Sequence, residues 1–560
     1  MIWMYVRTVK NNQGKEYLRI VESYRENGKN KQKIIANLGR IDTISRKEVE
    51  NIVDKLVQIY DIKGYVNLNS VEEAPDKKNY GVKVIVDRLF ERYEMDKFFE
   101  KMDKKARFDV EDLLKIMVMN RIIEPKSKLG IFNELDYYGF KRKRPEGSSR
   151  MDEAETGEEG IALQWMYRTL DVLAQKKEEL EKHLYRQRMS LFNSVVDLVF
   201  YDVTTLAFET QQTNELLQMG YSKDKKFNES QVVLGMSIDR DRMPVSFDIY
   251  PGNTFEGHTF KDTIEVMKKR YQLGKVIVVC DRGMMSRTNM EIVENSDYEF
   301  IVGKSIKQLK KVDIFDGGFT EIAKGIEYRE IEYEGKRLLI IHSEERAEKD
   351  RKDRIRLIEK AKKMLKDGNI ETKSKRGAKK YLKTKNEVDY TLDIQKIEKD
   401  EKYDGYYGII TNTQLNPKQI LEQYHTLWKV EESFRTLKNY LETRPIFHWT
   451  QKRIKGHIVM SFVSYIMQRT LELELERNNI EYSHEKIREA IKNMEYIDIK
   501  PNEQHFAIRT NMNLLAQKIL KILNIPIPKV VTPYEEFVEK LKLQNENKEN
   551  KGLERSKAKV

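Results

Sequence analysis

Three acidic residues stand where carboxylates are costly. Asp is depleted in strands, and a buried carboxylate is unfavourable unless it is paired or holds a metal. Yet Asp202 lies in the apolar run VVDLVFYDVTTL and Asp281 ends the run KVIVVCDRGM. Taken singly, either is equally consistent with an aspartate that caps a turn or a following helix. Two such residues on strands of one sheet can be brought together at the strand ends. A third carboxylate lies in YHTLWKVEESFRTLK. Seven residues turn a helix through about 700°, about 20° short of two full turns. Tyr424, Glu431 and Lys438 therefore share one helical stripe, while Glu432 is turned by about 100° from it; Glu431 is the preferred candidate. Val430, Phe434, Leu437 and Leu441 make a separate apolar face for docking on a core. Alone, the stripe reads as an ordinary solvated helix edge. Three carboxylates without supporting cysteines suit a hard, oxygen-seeking ion such as Mg2+. Two such ions activate an attacking oxygen and stabilise a leaving one in phosphoryl transfer.

Other motifs carry less. Gly303-Lys304-Ser305 resembles the end of a phosphate-binding loop, but Tyr298 stands where the upstream glycine belongs, which excludes an NTPase of that kind. The histidines are scattered and none has metal-ligand spacing; His258, His448 and His457 read as hydrogen-bonding or core histidines. Trp428 and Trp449 read first as core tryptophans, with stacking on an extruded base as the alternative.

The elements that must position these residues fall into six stretches of an α/β multi-domain chain. Residues 1–75 form a β-rich region, with strands over 2–8, 17–24 and 33–38, a turn at 11–14 and a helix over 45–59. Residues 76–190 form a helical region, with 3.6-type spacing over 82–93, 110–120 and 163–181. Residues 191–303 run β-β-β-α-β-α-β, a mixed sheet with helices against it. Residues 304–415 are a β-rich basic insertion, and 416–450 hold the Glu-bearing helix over 420–441. Residues 451–560 are expected to be a C-terminal helical region with a polar, disordered basic tail.

The chain has 560 residues and 39% apolar content, which excludes global disorder. Its one cysteine, Cys280, excludes a disulfide scaffold and a Cys-based zinc site. The first fifteen residues lack an apolar targeting core. The longest strongly apolar stretch, 458–467, is about half of the ~20 residues that span a bilayer. A soluble, cytoplasmic protein with no membrane partner is expected. Lys and Arg number 103 against 91 Asp and Glu, a formal +12, which suits a polyanionic partner. Residues 361–385 hold ten Lys/Arg against Asp367 and Glu371. They read as a solvated face or as a phosphate-contacting arm whose candidates are Lys375, Arg376, Lys379 and Lys380.

Across these segments the chain resembles the DDE transposases of bacterial and archaeal insertion sequences, in the subgroup marked by Tyr-x2-Arg-x3-Glu-x6-Lys. The matching segments are YDVTTL (201–206), YPGNT (250–254), CDRGM (280–284) and YHTLWKVEESFRTLK (424–438), with LGRID (38–42), GYSKD (220–224) and RPIFHWTQKRIKGH (444–457). The resemblance implies an RNase H-like catalytic core, interrupted by a β-rich insertion, in which Asp202, Asp281 and Glu431 hold two Mg2+ ions, with Mn2+ as a substitute. It implies Mg-dependent cleavage at the element's terminal inverted repeats to release a 3′-OH, then attack of that hydroxyl on target DNA, in a cut-and-paste route. Tyr424 and Lys438 would position phosphate, and Arg282 would add charge. The motif's Arg position holds Leu427, which leaves the hairpin-intermediate route in doubt; Arg435 is the substitute charge on a neighbouring face. Residues 76–190 would read the DNA ends, two copies would pair in a synaptic complex, and the bound protein would be nucleoid-associated. The alternatives are a transposase-derived DNA-binding protein without catalysis and a structure-selective nuclease.

Overall fold

Alternation in the first forty residues produces three antiparallel strands, β1 (Trp3–Lys10), β2 (Glu16–Glu26) and β3 (Lys29–Arg40). Asn27 and Gly28 join β2 to β3 at φ of 50° and 76°, the positive pair that a type I′ hairpin requires. Helix α1 (Arg46–Ile59) follows, started by a capping box between Ser45 and Glu48. The computed structural model describes the chain except residues 1–2, 61, 63–75, 103–107, 143–159, 193–195, 209–210, 221–228, 272–275, 285, 310–311, 316, 368–375, 387–388, 444–445, 502–503 and 542–560. The tail expected at the C-terminus thus lies outside the described residues.

Two compact units make up the chain. One contains Met1–Lys77, Glu495–Asn511 and the chain from Pro528. In its later pieces, Glu495–Ile499, Phe506–Arg509 and Val531–Pro533 pair antiparallel. The C-terminal region, read from sequence as largely helical, thus also contains strands; at three to five residues they are too short to display a period of two against a helical background.

The other unit spans Lys78–Met494 and Met512–Ile527. It begins with helices α2 (Gly81–Arg92), α3 (Val110–Ile123), α4 (Leu163–Gln175) and α5 (Lys177–Phe192). The single helix expected over 163–181 is broken at Lys176, whose ψ of 10° leaves the helical range. A mixed sheet follows from strands β4 (Leu198–Ala207), β5 (Gln231–Ile238), β6 (Pro244–Pro251), β7 (Ile277–Cys280), β8 (Glu299–Lys304), β9 (Thr320–Ala323), β10 (Ile326–Tyr333), β11 (Lys336–Ser343) and β12 (Tyr406–Thr411). Their order is β9-β10-β11-β12-β8-β7-β4-β5-β6. Only β4–β7 and β7–β8 are parallel, and α6 (Glu256–Val266) and α7 (Arg287–Glu294) connect into and out of β7. Pro244 and Pro251 fall on the edge strand β6, where a missing N–H costs least.

The sheet does not stop at Lys304. Strands β9 to β12, from the stretch read as an insertion, continue it from β8. That stretch also carries α8 (Glu344–Asp367), 24 residues long, so it is less β-rich than expected. Only Arg354 and Ala361 of α8 are buried, and so few inward positions print no apolar stripe. The end of α8 takes up the first part of the basic stretch 361–385.

The apolar stretch 458–467 lies inside α11 (Gln451–Arg477), whose described neighbours cover it on every side. A helix that is apolar all round is a buried one, and no helix among the described residues is long and apolar enough to cross a membrane. α11 crosses α4 at Gly456, where a Cβ would collide with the Leu170 carbonyl. Near its end, Arg469 pairs with Glu472 (2.9 Å) and Glu476 (2.7 Å), and Glu472 meets His484 at 2.9 Å. Burial opposes the charge of His484, but Glu472 outweighs it and holds the imidazolium above the ordinary histidine value.

Two outcomes follow for the intact chain. Gly456→Ala overpacks the crossing and should cost about 1–3 kcal/mol, read as a lower melting temperature. Because His484 is raised on folding, its contribution is complete below about pH 6.5 and is lost as pH climbs through its folded value. The wild type should lose stability between about pH 6 and 8 more steeply than His484→Gln, compared by denaturant melts at each pH.

Candidate active site

Strand β4 is buried at every residue except Asp202. Its parallel pairing with β7 ends at Tyr201 and Cys280. Asp202 and Asp281 are therefore the next residues on two neighbouring strands, which lie about 4.8 Å apart. Asp281 is exposed and opens the short turn Arg282–Met284. The buried thiol of Cys280 is pushed up by burial first, then by the charges of Asp281 and Asp202, so both carboxylates act on this strand end. Tyr201 faces the other way and donates to Thr259 at 2.7 Å. Gly235 on β5 makes room for that ring, since a Cβ there would stand 2.6 Å from the hydroxyl.

The Glu-bearing segment is not the continuous helix expected over 420–441. It is α9 (Pro417–His425), α10 (Trp428–Arg435) and a π-turn over Thr436–Tyr440. Bonds from Leu427 N–H to Tyr424 O, and from Val430 N–H to Leu427 O, tighten the chain between Tyr424 and Glu431. The π-turn loosens it between Glu431 and Lys438. A seven-residue stripe holds only at constant pitch, so these three residues are placed by the breaks rather than by one helix face. The apolar face survives: Val430, Phe434, Leu437 and Leu441 are all buried.

The loop between β5 and β6 clamps α10. Arg242, at a positive φ of 63°, donates to Glu432 at 2.9 Å and to Glu476 at 2.5 Å. Lys429 donates to the Arg240 carbonyl at 2.8 Å, and Tyr465 bridges Ser433 (2.7 Å) and the Arg242 carbonyl (2.9 Å). With Lys429, Glu432 and Ser433 so engaged, Glu431 is left exposed, without an ion pair among the described residues. α10 packs on β4, the strand that carries Asp202, and on β5.

Tyr424 reaches the Asp281 side. A cavity of about 430 Å³ is lined by Asp281, Arg282, Lys304, Arg346, Tyr407 and Tyr424, among others. Burial, then the charge of Asp281, pushes the Tyr424 hydroxyl above its usual range. Gly303 on β8 permits its approach, since a Cβ there would collide with the hydroxyl. Arg346, from the first turn of α8, lies over the Tyr407 ring at 4.6 Å. Lys438 instead lines a small apolar pocket with Thr204 and Phe434, two residues along β4 from Asp202 and on the same face. Arg346 and Arg242 escaped the sequence reading because each is one cation among 103, with no motif around it.

The remaining candidates scatter. Arg282 and Arg435 are exposed, as is Arg376, and Lys379 is half-buried; Lys375 lies outside the described residues. Lys380 is paired with Asp400 at 2.9 Å. Burial works against Asp400, but Lys380 and Lys307 outweigh it and hold the carboxyl well below its usual range. Trp428 and Trp449, read first as core residues, are 54% and 58% exposed. Trp428 lies about 200° around the helix from Val430, and Trp449 precedes the helix cap Thr450. His457 is buried as expected, whereas His258 is exposed.

The donors at the strand ends are all carboxylate oxygens, the type that hard divalent ions take. Asp202 and Asp281 are brought to adjacent positions. Among the described residues, however, no three Asp, Glu, His or Cys side chains are gathered closely enough to hold a metal. The clamp separates the two glutamates by a stability test. Glu432→Gln removes a charged partner from Arg242 and should cost about 1–3 kcal/mol, while Glu431→Gln should leave the melting temperature within error.

A family model described as the N-terminal domain of IS1634 family transposases matches residues 6–62, and a transposase DDE domain model matches residues 196–467. A comparison with curated proteins returned no match. Among solved structures, a piggyBac transposase synaptic complex with hairpin DNA aligns at 9% identity over 74% of this chain and 76% of that one, with a TM-score of 0.35. The Mos1 strand transfer complex aligns at 12% identity over 38% and 65%, with a TM-score of 0.15. Two transposase models match in chain order over more than half of the sequence, and the chain belongs to the DDE transposases of insertion sequences.

Proposed function

We propose that this transposase binds the ends of its own insertion sequence, cleaves DNA there and joins the freed end to target DNA by a cut-and-paste route. The observation that carries the reading is the pair Asp202 and Asp281, at neighbouring ends of two parallel central strands in a chain of the DDE family. Glu431 completes the triad, a choice supported by the pairing of its neighbour Glu432 with Arg242. The all-carboxylate donor set suits two Mg2+ ions, with Mn2+ as a substitute. Bound there, they would supply the charge that activates an attacking oxygen and stabilises a leaving one.

The chain's own side chains hold the DNA. Arg282 and Arg346 line the cavity shared by Asp281 and Tyr424 and offer guanidinium donors to a phosphate. Arg346 thereby takes over the charge that Leu427 does not provide. The raised Tyr424 hydroxyl stays protonated at neutral pH and donates to a phosphate oxygen, and Lys438 adds charge on the β4 side. Arg435, Arg376 and Lys379 contact the backbone farther out, and the exposed Trp428 and Trp449 stack on an unpaired base. In this reading residues 191–303 and 416–450 form the RNase H-like core, 304–415 the insertion, and 76–190 the end-reading region, assisted by residues 1–75. Two copies pair the ends.

Asp202→Asn, Asp281→Asn and Glu431→Gln should each abolish Mg-dependent cleavage of end-containing DNA while binding of the same DNA persists. The wild type should yield joined products from labelled ends and target. Cleavage without joined products would indicate a nuclease, and binding without cleavage a non-catalytic DNA-binding protein. Full activity in any one variant removes that residue from the triad.

A further inference from the structure

A second cavity, of about 210 Å³, lies away from the strand aspartates, between the end of α3, the segment after it and the chain around His448 and His457. Its lining is cationic in an unusual way. Lys128 is only 4% exposed, and its ammonium makes no hydrogen bond or ion pair among the described residues. The charge that acts on it is another cation, Arg121, also 4% exposed. Arg121 donates to the Leu441 and Glu442 carbonyls at 3.2 and 2.6 Å, and its Nε has no partner. Burial, then Arg121, pushes the Lys128 ammonium well below the ordinary lysine range, and a group that sheds its charge for want of a partner regains it when a counter-charge enters.

The histidines complete the cradle. His457 is 3% exposed; its Nε2 lies 3.1 Å from the Thr443 carbonyl, and its Nδ1 has no partner. The carbonyl can only accept, so Nε2 carries the hydrogen and Nδ1 is a bare acceptor in the neutral ring. His448 stands 5.3 Å from His457 between ring centres. Burial, then Lys128, Arg453 and Arg121, pushes His448 down to about 3. Both rings are thus held neutral, and protonation beside an entering anion makes both nitrogens of each ring donors. The lining's other cation, Lys126, is already paired with Glu124 (3.0 Å) and Glu134. The lining's carboxylate, Glu442, is exposed; its charge acts on Arg121, but it makes no ion pair with Arg121 or Lys128 among the described residues.

We propose that Lys128, Arg121, His448 and His457 form a phosphate-binding site. A guanidinium, an ammonium and two imidazoles converging on one small cavity match a compact, multiply charged oxyanion with acceptors on all sides. The same chemistry is offered by a phosphodiester of the DNA backbone and by a free phosphate group.

Melting of the full chain with added inorganic phosphate, against chloride at equal ionic strength, tests the site without DNA and so independently of the transposition reading. Phosphate should raise the melting temperature of the wild type above the chloride control. Lys128→Met should melt higher than the wild type in chloride, because a buried amine without a hydrogen-bond partner is replaced by an apolar side chain, and should lose the phosphate response. His448→Gln, which keeps Lys128, should need roughly ten-fold more phosphate for the same shift. Equal responses to phosphate and chloride in the wild type, or an undiminished phosphate response in Lys128→Met, overturn the proposal. A DNA duplex identifies the source. If phosphate competes with the duplex and Lys128→Met lowers the salt slope of binding by about 1, the ligand is the DNA backbone. If Lys128→Met loses phosphate but binds duplex unchanged, the ligand is a free phosphate group.

Discussion

The parallel pairing of β4 with β7 is the constraint on which the rest of the site depends. It ends at Tyr201 and Cys280, and so places two carboxylates on neighbouring strands at one end of the sheet. Like charges at that spacing repel. The surroundings fit that cost: Asp202 is the one residue of β4 that is not buried, Asp281 is exposed, and the guanidinium groups of Arg282 and Arg346 line the cavity that includes Asp281. A parallel pair also demands a crossover, which is why α6 and α7 lie on either side of β7 in the chain.

The helix that carries Glu431 is held from outside rather than by its own regularity. Its eight residues are fewer than an isolated helix needs, and breaks flank it on both sides. Its hold comes from three contacts with the β5–β6 loop and with Tyr465 of α11. The same loop is tied to the end of α11 through Arg469, which donates to the Asp241 carbonyl at 2.8 Å. The central buried helix, the sheet and the Glu-bearing helix thus share one network of charged hydrogen bonds. Breaking one partner in such a network leaves the others buried and unsatisfied.

Some of this was legible from residue types. The continuous apolar runs around Asp202 and Asp281 marked central strands, because a strand covered on both faces has no polar alternation to show. Val430, Phe434, Leu437 and Leu441 marked the face that docks. The breaks around α10 were not legible, since a 3₁₀ bond or a π-turn changes pitch without changing composition. Nor was the continuation of the sheet through β9 to β12: hydrogen bonding between β8 and β12 joins residues more than a hundred positions apart, and no local pattern encodes a partner at that distance. Trp428 and Trp449 were misjudged because burial tendency is an average over contexts, whereas these two fall on the uncovered side of a short helix and in a loop.

Sequence by itself determined the chemistry available: three acidic residues in apolar settings, one cysteine, an excess of cations, and motifs in an order that resembles one family. Those are properties of residue type and local period, and they need no fold to be read. Only the tertiary structure decided which charges are in use. It pairs Lys380 with Asp400 and Glu432 with Arg242, sets Arg346 over the Tyr407 ring, and buries Lys128 near Arg121 without an ion pair among the described residues. Pairing and desolvation depend on distance in space, which chain position does not carry.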